Sequence, residues 1–192
     1  MVRTVFSMPP VTAPAEMLTI EDYCATPDNI RYQLIEGDLV RTPSVTLYHQ
    51  VIVGNLVFVL GAYLDRQPVG KGYLGPLDVF LSNHNVFQPD VLFVAKANFG
   101  ILKEDGVHGA PDLVIEVLSP STAQLDKKAK RRVYAQAGVK ELWLVDPLLS
   151  QIQRYDFARD TAKPVQLIEE NETFETPLLP GLRFLAAEIF RR

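Results

Sequence analysis

The sequence predicts an α/β protein in which a central mixed sheet is covered by helices on both faces. Residues 88–94, 112–118 and 141–145 are almost continuous aliphatic runs, which is typical of strands buried on both faces of a sheet. Helical patterns precede and separate these runs, so helices are available to cover the sheet. No Gly-rich loop joins a strand to a helix, which disfavours a doubly wound nucleotide-binding fold.

Shorter elements lead up to the three buried strands. Thr19 is placed to cap a short helix that Pro27 ends. Two short apolar runs flank Glu36-Gly37, which predicts a β-hairpin. The long helix predicted over residues 46–66 has an uninterrupted apolar part too short to span a bilayer, so we expect it in the core.

Further elements are predicted between and after the buried strands. Glycines and prolines punctuate this half of the chain, and Gly138 is expected to stop the helix before the last buried strand. The expected segments are strands near 72–74 and 77–81, a mobile connection over 95–110, a helix over 122–137, a hairpin of strands 151–157 and 164–168, and a helix over 186–190.

Composition indicates one globular domain. The 192 residues include 19 Lys and Arg and 23 Asp and Glu, and 47% are hydrophobic, which excludes a disordered chain and a strongly basic coat protein. Proline-rich residues 1–17 are expected to be a mobile arm, and residues 18–192 a single domain. A single cysteine, Cys24, rules out an intramolecular disulfide, and we expect a cytoplasmic protein without a membrane segment.

Two acids interrupt the buried strands. Glu116 has aliphatic residues on both sides, and Asp90 begins the apolar run after Pro89. A buried carboxylate is costly unless it is paired, protonated or bound to a cation. The simpler interpretation is a position at the sheet edge or a salt bridge to a core arginine. For Asp90 this interpretation is as well supported as a metal site, and for Glu116 it is weaker, because apolar residues flank it on both sides. If the strands are neighbours, both acids can share Mg²⁺, which favours one or two carboxylates.

A basic stretch follows the second acid: Lys127, Lys128, Lys130, Arg131 and Arg132. On a helical wheel, Lys127 and Arg131 fall opposite the apolar stripe, so we expect them to face water or phosphate. Lys130 and Arg132 flank that stripe on its two sides, and the wheel does not separate them. Either cation can bend towards the sheet and stabilise phosphate charge beside the two acids.

These residues resemble the Uma-type restriction endonucleases of the PD-(D/E)XK nuclease superfamily. The similarity runs from about Thr19 to the last strands. The matching segments are residues 88–94, residues 111–122 with their Ile-Glu-Val-Leu-Ser-Pro-Ser-Thr run, Asp126, Lys130, Tyr134, and residues 138–147.

The resemblance implies a restriction-endonuclease-like core, a Mg²⁺-dependent phosphodiesterase centre with Mn²⁺ as a substitute, and often a homodimer. Asp90 and Glu116 match the two metal-binding acids of the family motif, and the backbone carbonyl of Val117 is a further implied ligand. The superfamily's lysine two residues after the second acid is replaced by Leu118, whereas Lys130 matches the helical lysine of the Uma-type proteins.

Three further positions are secondary candidates. Gln33 stands where the family often has Glu, so the implied site is less acidic here. His49 matches a family His-Gln pair and is equally compatible with packing at a helix start. Asp78 interrupts an apolar strand. Glu36 or Asp38 can take the place of the missing acid, although solvation at a hairpin turn explains both more simply.

Three functions agree with these patterns. The first is a Mg²⁺-dependent endonuclease acting on DNA, in which Lys127, Lys128 and Arg131 hold the phosphate backbone. The second is a catalytically inactive relative that serves as a DNA-binding or protein-interaction module, an alternative favoured by Gln33 and by the net charge of −4. The third is hydrolysis of another phosphate ester, because the same acids and metal serve both reactions.

Overall fold

The computed structural model describes residues 16–27, 29–119 and 126–192, with the side chains of residues 126 and 127 left out. Residues 1–15 of the predicted arm lie outside the described residues, as do residues 122–125 of the predicted helix. At the start of the described chain, Leu18 N donates to the carbonyl of Gly37, which ties this segment to the first hairpin.

Four α-helices and thirteen strands are described in these ranges. The helices are α1 (Ile20–Cys24), α2 (Leu47–Arg66), α3 (Arg131–Ala137) and α4 (Ala187–Phe190). A 3₁₀ helix spans Lys96–Ile101, and a π-helical turn spans Asp126–Lys130. The strands are β1 (Tyr32–Ile35), β2 (Asp38–Arg41), β3 (Gly70–Leu74), β4 (Val79–Ser82), β5 (Asn85–Phe87), β6 (Val91–Ala95), β7 (Val107–His108), β8 (Leu113–Val117), β9 (Glu141–Asp146), β10 (Gln151–Asp156), β11 (Gln166–Glu169), β12 (Thr173–Glu175) and β13 (Arg183–Leu185).

The strands of the described chain form two larger sheets and a hairpin. The main sheet has the order β11-β10-β9-β8-β6-β3 and is mixed, because β8 and β9 run parallel while the other neighbours are antiparallel. The second sheet has the order β2-β1-β5-β4-β7, and β12 pairs with β13. The mixed central sheet confirms the predicted fold class.

Side chains of the main sheet alternate between two cores, as expected of strands covered on both faces. Ile115 and Trp143 face one core together with α2 and α4, whereas Val114 and Leu142 face the other core together with α3. Glu116 belongs to the second face, because it alternates with Ile115. The acid therefore points towards α3 and not towards α2.

Helix α2 is the core helix that the sequence predicts. By length and composition alone it could also cross a membrane, a test that core helices of soluble proteins pass as well. One side of α2 is buried, including Ile52, Leu56 and Leu60, and it packs against the main sheet. The opposite side exposes Leu47 and Phe58.

The predicted strand over residues 88–94 is wrong in its first half. Residues 85–87 form β5 in the second sheet, and Val91–Ala95 forms β6 in the main sheet. The break falls at Gln88-Pro89-Asp90, because Pro89 has no N–H to donate to a ladder. The chain therefore changes sheets immediately before Asp90.

The connection over residues 95–110 is more ordered than predicted. It contains the 3₁₀ helix and β7, and Asp112 anchors it from the main sheet. The buried Asp112 carboxylate accepts hydrogen bonds from Ala95 N at 2.7 Å and Asn98 Nδ2 at 2.8 Å, and Lys140 Nζ lies 2.6 Å away. Burial raises the pKa of Asp112, but these partners outweigh it and hold the pKa below the ordinary value of 3.8.

Replacing Asp112 by asparagine is expected to lower the free energy of unfolding by about 2–3 kcal/mol at neutral pH. The neutral amide removes the charge that pairs with Lys140 and one of the two oxygens that accept hydrogen bonds. A lowered carboxyl pKa contributes stability above the unfolded value, and this contribution fades as the pH falls through the folded value. The deficit should therefore shrink in acid. Urea denaturation at several pH values measures it, with the exposed Asp65→Asn as the matched control. Equal stability of the two variants would contradict the prediction.

Candidate active site

Strand register brings the two predicted metal-binding acids together. Val91 of β6 pairs with Ile115 of β8 in antiparallel register, so continuing the pairing by one residue sets Asp90 opposite Glu116. Val117 N donates a 2.7 Å hydrogen bond to Asp90 Oδ2, which holds the carboxylate at the end of the sheet. The Asp90 side chain remains 22% exposed, so solvent and ions can reach it.

The Glu116 carboxylate is buried and held by two side chains from the following helical segment. Lys130 Nζ donates to Glu116 Oε1 at 3.0 Å, and Tyr134 OH donates to the same oxygen at 2.7 Å. Lys130 is itself only 3% exposed. Charge pairing and hydrogen bonding together explain how an acid is tolerated within this apolar strand.

His49 joins the acids from the first turn of α2. Thr46 caps this helix by accepting a hydrogen bond from His49 N. His49 Nε2 lies 3.1 Å from the Val117 carbonyl oxygen and 3.3 Å from Asp90 Oδ2. Burial lowers the pKa of His49, but the bonds and charge of Asp90 outweigh it, so the pKa is raised above its ordinary value. His49 therefore lies within the acidic cluster.

These groups line a small cavity. Its volume is about 50 Å³, and its wall includes Gln33, His49, Asp90, Glu116, Val117 and Lys130. A water molecule needs roughly 10–15 Å³, so the cavity has room for a few water molecules or an ion. The side chain of Gln33 is held in place by a hydrogen bond of 3.0 Å, which its Oε1 accepts from Gln88 N.

The donors at this cavity match a hard cation. In the described part of the chain, no group of three or more His, Cys, Asp or Glu side chains is arranged to hold a metal ion. Two carboxylates and the Val117 carbonyl are nevertheless the oxygen donors that suit Mg²⁺, which keeps several water molecules. The residues fit Mg²⁺ and do not fit a four-ligand zinc site.

Asp78 lies apart from this cavity. Its Oδ1 accepts hydrogen bonds from Tyr23 OH and from Gln88 Nε2, each at 2.8 Å. Asp78 lines a different cavity, and Gln88 lines both. The structure therefore does not place Asp78 in the acidic cluster, although Gln88 links the two.

The basic stretch divides between the site and the surface. Arg132 is exposed and pairs with Glu36 on the first hairpin, so Lys130 rather than Arg132 reaches Glu116. The pairing also occupies Glu36, and Glu36 is not part of the cavity wall, so this acid does not take the place of the missing one. Lys128 is exposed, Arg131 packs over the ring of Tyr155 at 5.4 Å, and the side chain of Lys127 lies outside the described residues.

Two residues at the site had no role assigned from the sequence. Tyr134 follows Lys130 by four residues, a helical spacing that places both on one face and that indicates a shared target. Gln88 precedes Asp90 by two residues and bonds Gln33 through its backbone. In a continuous strand, Gln88 and Asp90 would face the same side, which would have made Gln88 a candidate. The chain changes sheets between β5 and β6, so this rule does not apply to the pair.

The chain matches a family whose description places it in the nuclease class. A family model described as "Putative restriction endonuclease" and named Uma2 matches residues 16–188. The chain therefore belongs to the Uma2 family, and the resemblance found in the sequence is confirmed. A search of curated proteins gives no match.

A solved structure shares the fold. It comes from Anabaena variabilis ATCC 29413 and is described as "a putative nuclease belonging to DUF820". The two chains are 20% identical, with a TM-score of 0.73 over 90% of this chain and 97% of the other. At this identity the similarity supports the restriction-endonuclease-like fold, and the roles of individual residues depend on the geometry given above.

Proposed function

We propose that this protein is a Mg²⁺-dependent endonuclease that hydrolyses DNA phosphodiester bonds, with Mn²⁺ as a substitute ion. The observation that carries the proposal is the convergence of Asp90, Glu116 and Lys130 on one small cavity. The predicted ligands are Asp90, Glu116 and the Val117 carbonyl. When bound, the ion supplies charge neutralisation at the scissile phosphate.

The chain's own groups then act on substrate and water. Lys130 Nζ lies in the cavity wall beside Glu116, where it can donate to a phosphate oxygen or orient the attacking water. Two hydrogen bonds fix the positions of the proposed ligands. One joins His49 to the Val117 carbonyl, and in the other Val117 N donates to Asp90. These hydrogen bonds hold the oxygen ligands in place before substrate binds, and such preorganisation is the main requirement of electrostatic catalysis.

The basic residues Lys127, Lys128 and Arg131 are proposed to hold the DNA backbone outside the cavity. Lys128 is exposed close to the buried Lys130, and Lys127 and Arg131 adjoin them in sequence. Contacts of this kind are electrostatic and independent of base sequence, so binding should weaken as salt increases. The cytoplasmic location and the homodimer remain predictions from the sequence.

Metal removal and loss of either acid are expected to abolish cleavage. Supercoiled plasmid DNA should be nicked or cut with Mg²⁺ or Mn²⁺ and left intact with EDTA. Asp90→Ala and Glu116→Ala should lower the cleavage rate by at least about 100-fold, because each removes a proposed ligand and its transition-state stabilisation. The exposed Asp65→Ala is the matched control and should keep its activity. Cleavage that survives both substitutions would overturn the assignment.

One observation favours the inactive alternative. Gln33 brings a neutral amide to the cavity where a carboxylate would raise cation affinity, and its Oε1 is already bonded to Gln88 N. Calorimetric titration with Mn²⁺ separates the hypotheses. A site that depends on Asp90 and Glu116 supports the nuclease, whereas the absence of binding together with retained DNA binding supports a non-catalytic module.

A further inference from the structure

A second cavity adjoins the proposed active site on the other side of Gln88. Its volume is about 360 Å³, within the range of roughly 300–1,000 Å³ that is usual for pockets that hold small organic groups. Its wall includes Tyr23, Arg31, Tyr32, Asp78, Phe80 and Gln88. Because Gln88 lines both cavities, a group in this cavity would lie across this one residue from the proposed metal site.

The wall of this cavity presents one carboxylate oxygen that is free to accept a hydrogen bond from a ligand. Asp78 Oδ1 accepts hydrogen bonds from Tyr23 OH and Gln88 Nε2, whereas Asp78 Oδ2 has no hydrogen-bond partner among the described residues. Gln88 Oε1 also has no partner there, but it is fully buried, so a ligand in the cavity would meet Asp78 Oδ2 and not this oxygen. A ligand that brings an N–H group into the cavity would donate to Asp78 Oδ2.

The remaining wall suits a flat ring better than an anion. Tyr23, Tyr32 and Phe80 supply aromatic surface, and aromatic rings are the usual partners of unstacked bases. Asp78 and Asp105 both line the cavity, so a phosphate would be repelled despite Arg31.

We propose that this cavity binds the base of a nucleotide next to the scissile phosphate, and that it selects bases with an exocyclic amino group. Adenine, cytosine and guanine carry such a group with two N–H donors, whereas thymine carries none. The base enters unstacked from its neighbours, as in other enzymes that read single nucleotides in a pocket. The inference rests on the proposed nuclease function and adds to it a source of substrate preference.

Binding of short oligonucleotides in EDTA tests the cavity without relying on catalysis. The probes are a fluorescent 12-mer of thymidine and versions in which one central thymine is replaced by adenine, cytosine or guanine. Fluorescence anisotropy with the full chain should show at least about fivefold tighter binding of the substituted probes. Equal binding of all four probes would overturn the proposal.

Asp78→Asn is the specific variant. It should keep the bonds to Tyr23 and Gln88 through its carbonyl oxygen and turn the other acceptor into a donor. The preference for amino-bearing bases should then vanish or shift to thymine, while Asp65→Asn should keep it. If Asp78→Asn does not fold, Tyr32→Leu serves instead, because loss of an aromatic wall should weaken binding of the preferred probes. A preference unchanged in the folded variant would contradict the assignment.

Sequencing of cleaved ends separates failure of the two proposals. If DNA is cut without base preference next to the break, the cavity proposal fails and the nuclease proposal stands. If no probe is cut with Mn²⁺ but the amino-bearing bases still bind more tightly, the nuclease proposal fails and the cavity retains its assignment as a base-binding site.

Discussion

Replacing Lys130 by methionine is expected to lower the rate of metal-dependent DNA cleavage by about 10²–10³-fold, the usual cost of losing one preorganised donor at developing charge. Lys130 is buried with its ammonium 3.0 Å from Glu116 Oε1, so it is a fixed group at the cavity wall. Methionine keeps much of the aliphatic length and removes only the charge and the donors. The rate is measured on plasmid DNA with saturating Mn²⁺.

The neighbouring cation provides the control for this experiment. Arg132→Met removes an exposed cation that pairs with Glu36, and it should leave the cleavage rate within about twofold. Circular dichroism and Mn²⁺ titration should show that Lys130→Met is folded and still binds the ion, since Glu116 keeps its bond to Tyr134. An equal loss in the two variants, or a normal rate without Lys130, would refute the assigned role.

The sequence could not separate Lys130 from Arg132, and the structure supplies the reason. A helical wheel assumes a constant rotation per residue, but Asp126–Lys130 forms a π-helical turn before α3 begins at Arg131. Such a turn contains more residues than an α-helical one and shifts every following position around the axis. The family resemblance identified Lys130 because its match depended on position along the chain and not on the wheel.

The two acids were easier to predict, because each breaks a strong local pattern. Glu116 interrupts a buried aliphatic strand, and Asp90 follows a proline at the start of another. Their contact follows from the pairing of β6 with β8, which is a property of the whole sheet. The hairpin β12–β13 was missed for the opposite reason, because its three-residue strands carry too little pattern to detect.

Networks that join distant parts of the chain were also beyond sequence reasoning. Glu141 begins a predicted strand, and nothing local indicates that it is buried. Its carboxylate accepts hydrogen bonds from Trp143 Nε1 at 2.6 Å, Thr176 Oγ1 at 2.7 Å and Arg154 at 3.1 Å. Two of these partners come from β10 and from the segment after β12, so only the assembled main sheet brings them together.

Replacing Arg154 by methionine is expected to lower the free energy of unfolding by about 3–5 kcal/mol at neutral pH. Both side chains of this pair are almost completely buried, at 6% and 4% exposed, and removal of one partner leaves a buried charge uncompensated. Urea denaturation measures the loss. Arg183→Met is the matched control, because Arg183 pairs with Glu175 at the surface and should cost at most about 1 kcal/mol.

The pH dependence of this loss tests its electrostatic origin. Burial raises the pKa of Glu141 above its ordinary value of 4.5, although bonds from Trp143, Thr176 and Arg154 oppose the rise. Stability linked to a raised carboxyl pKa is complete below the unfolded value and is lost as the pH rises through the folded value. Without Arg154 the folded pKa rises further, so the deficit of Arg154→Met should be larger at about pH 8 than at about pH 5. A deficit that does not change with pH, or that equals the deficit of Arg183→Met, would show that Arg154 stabilises the sheet by packing alone.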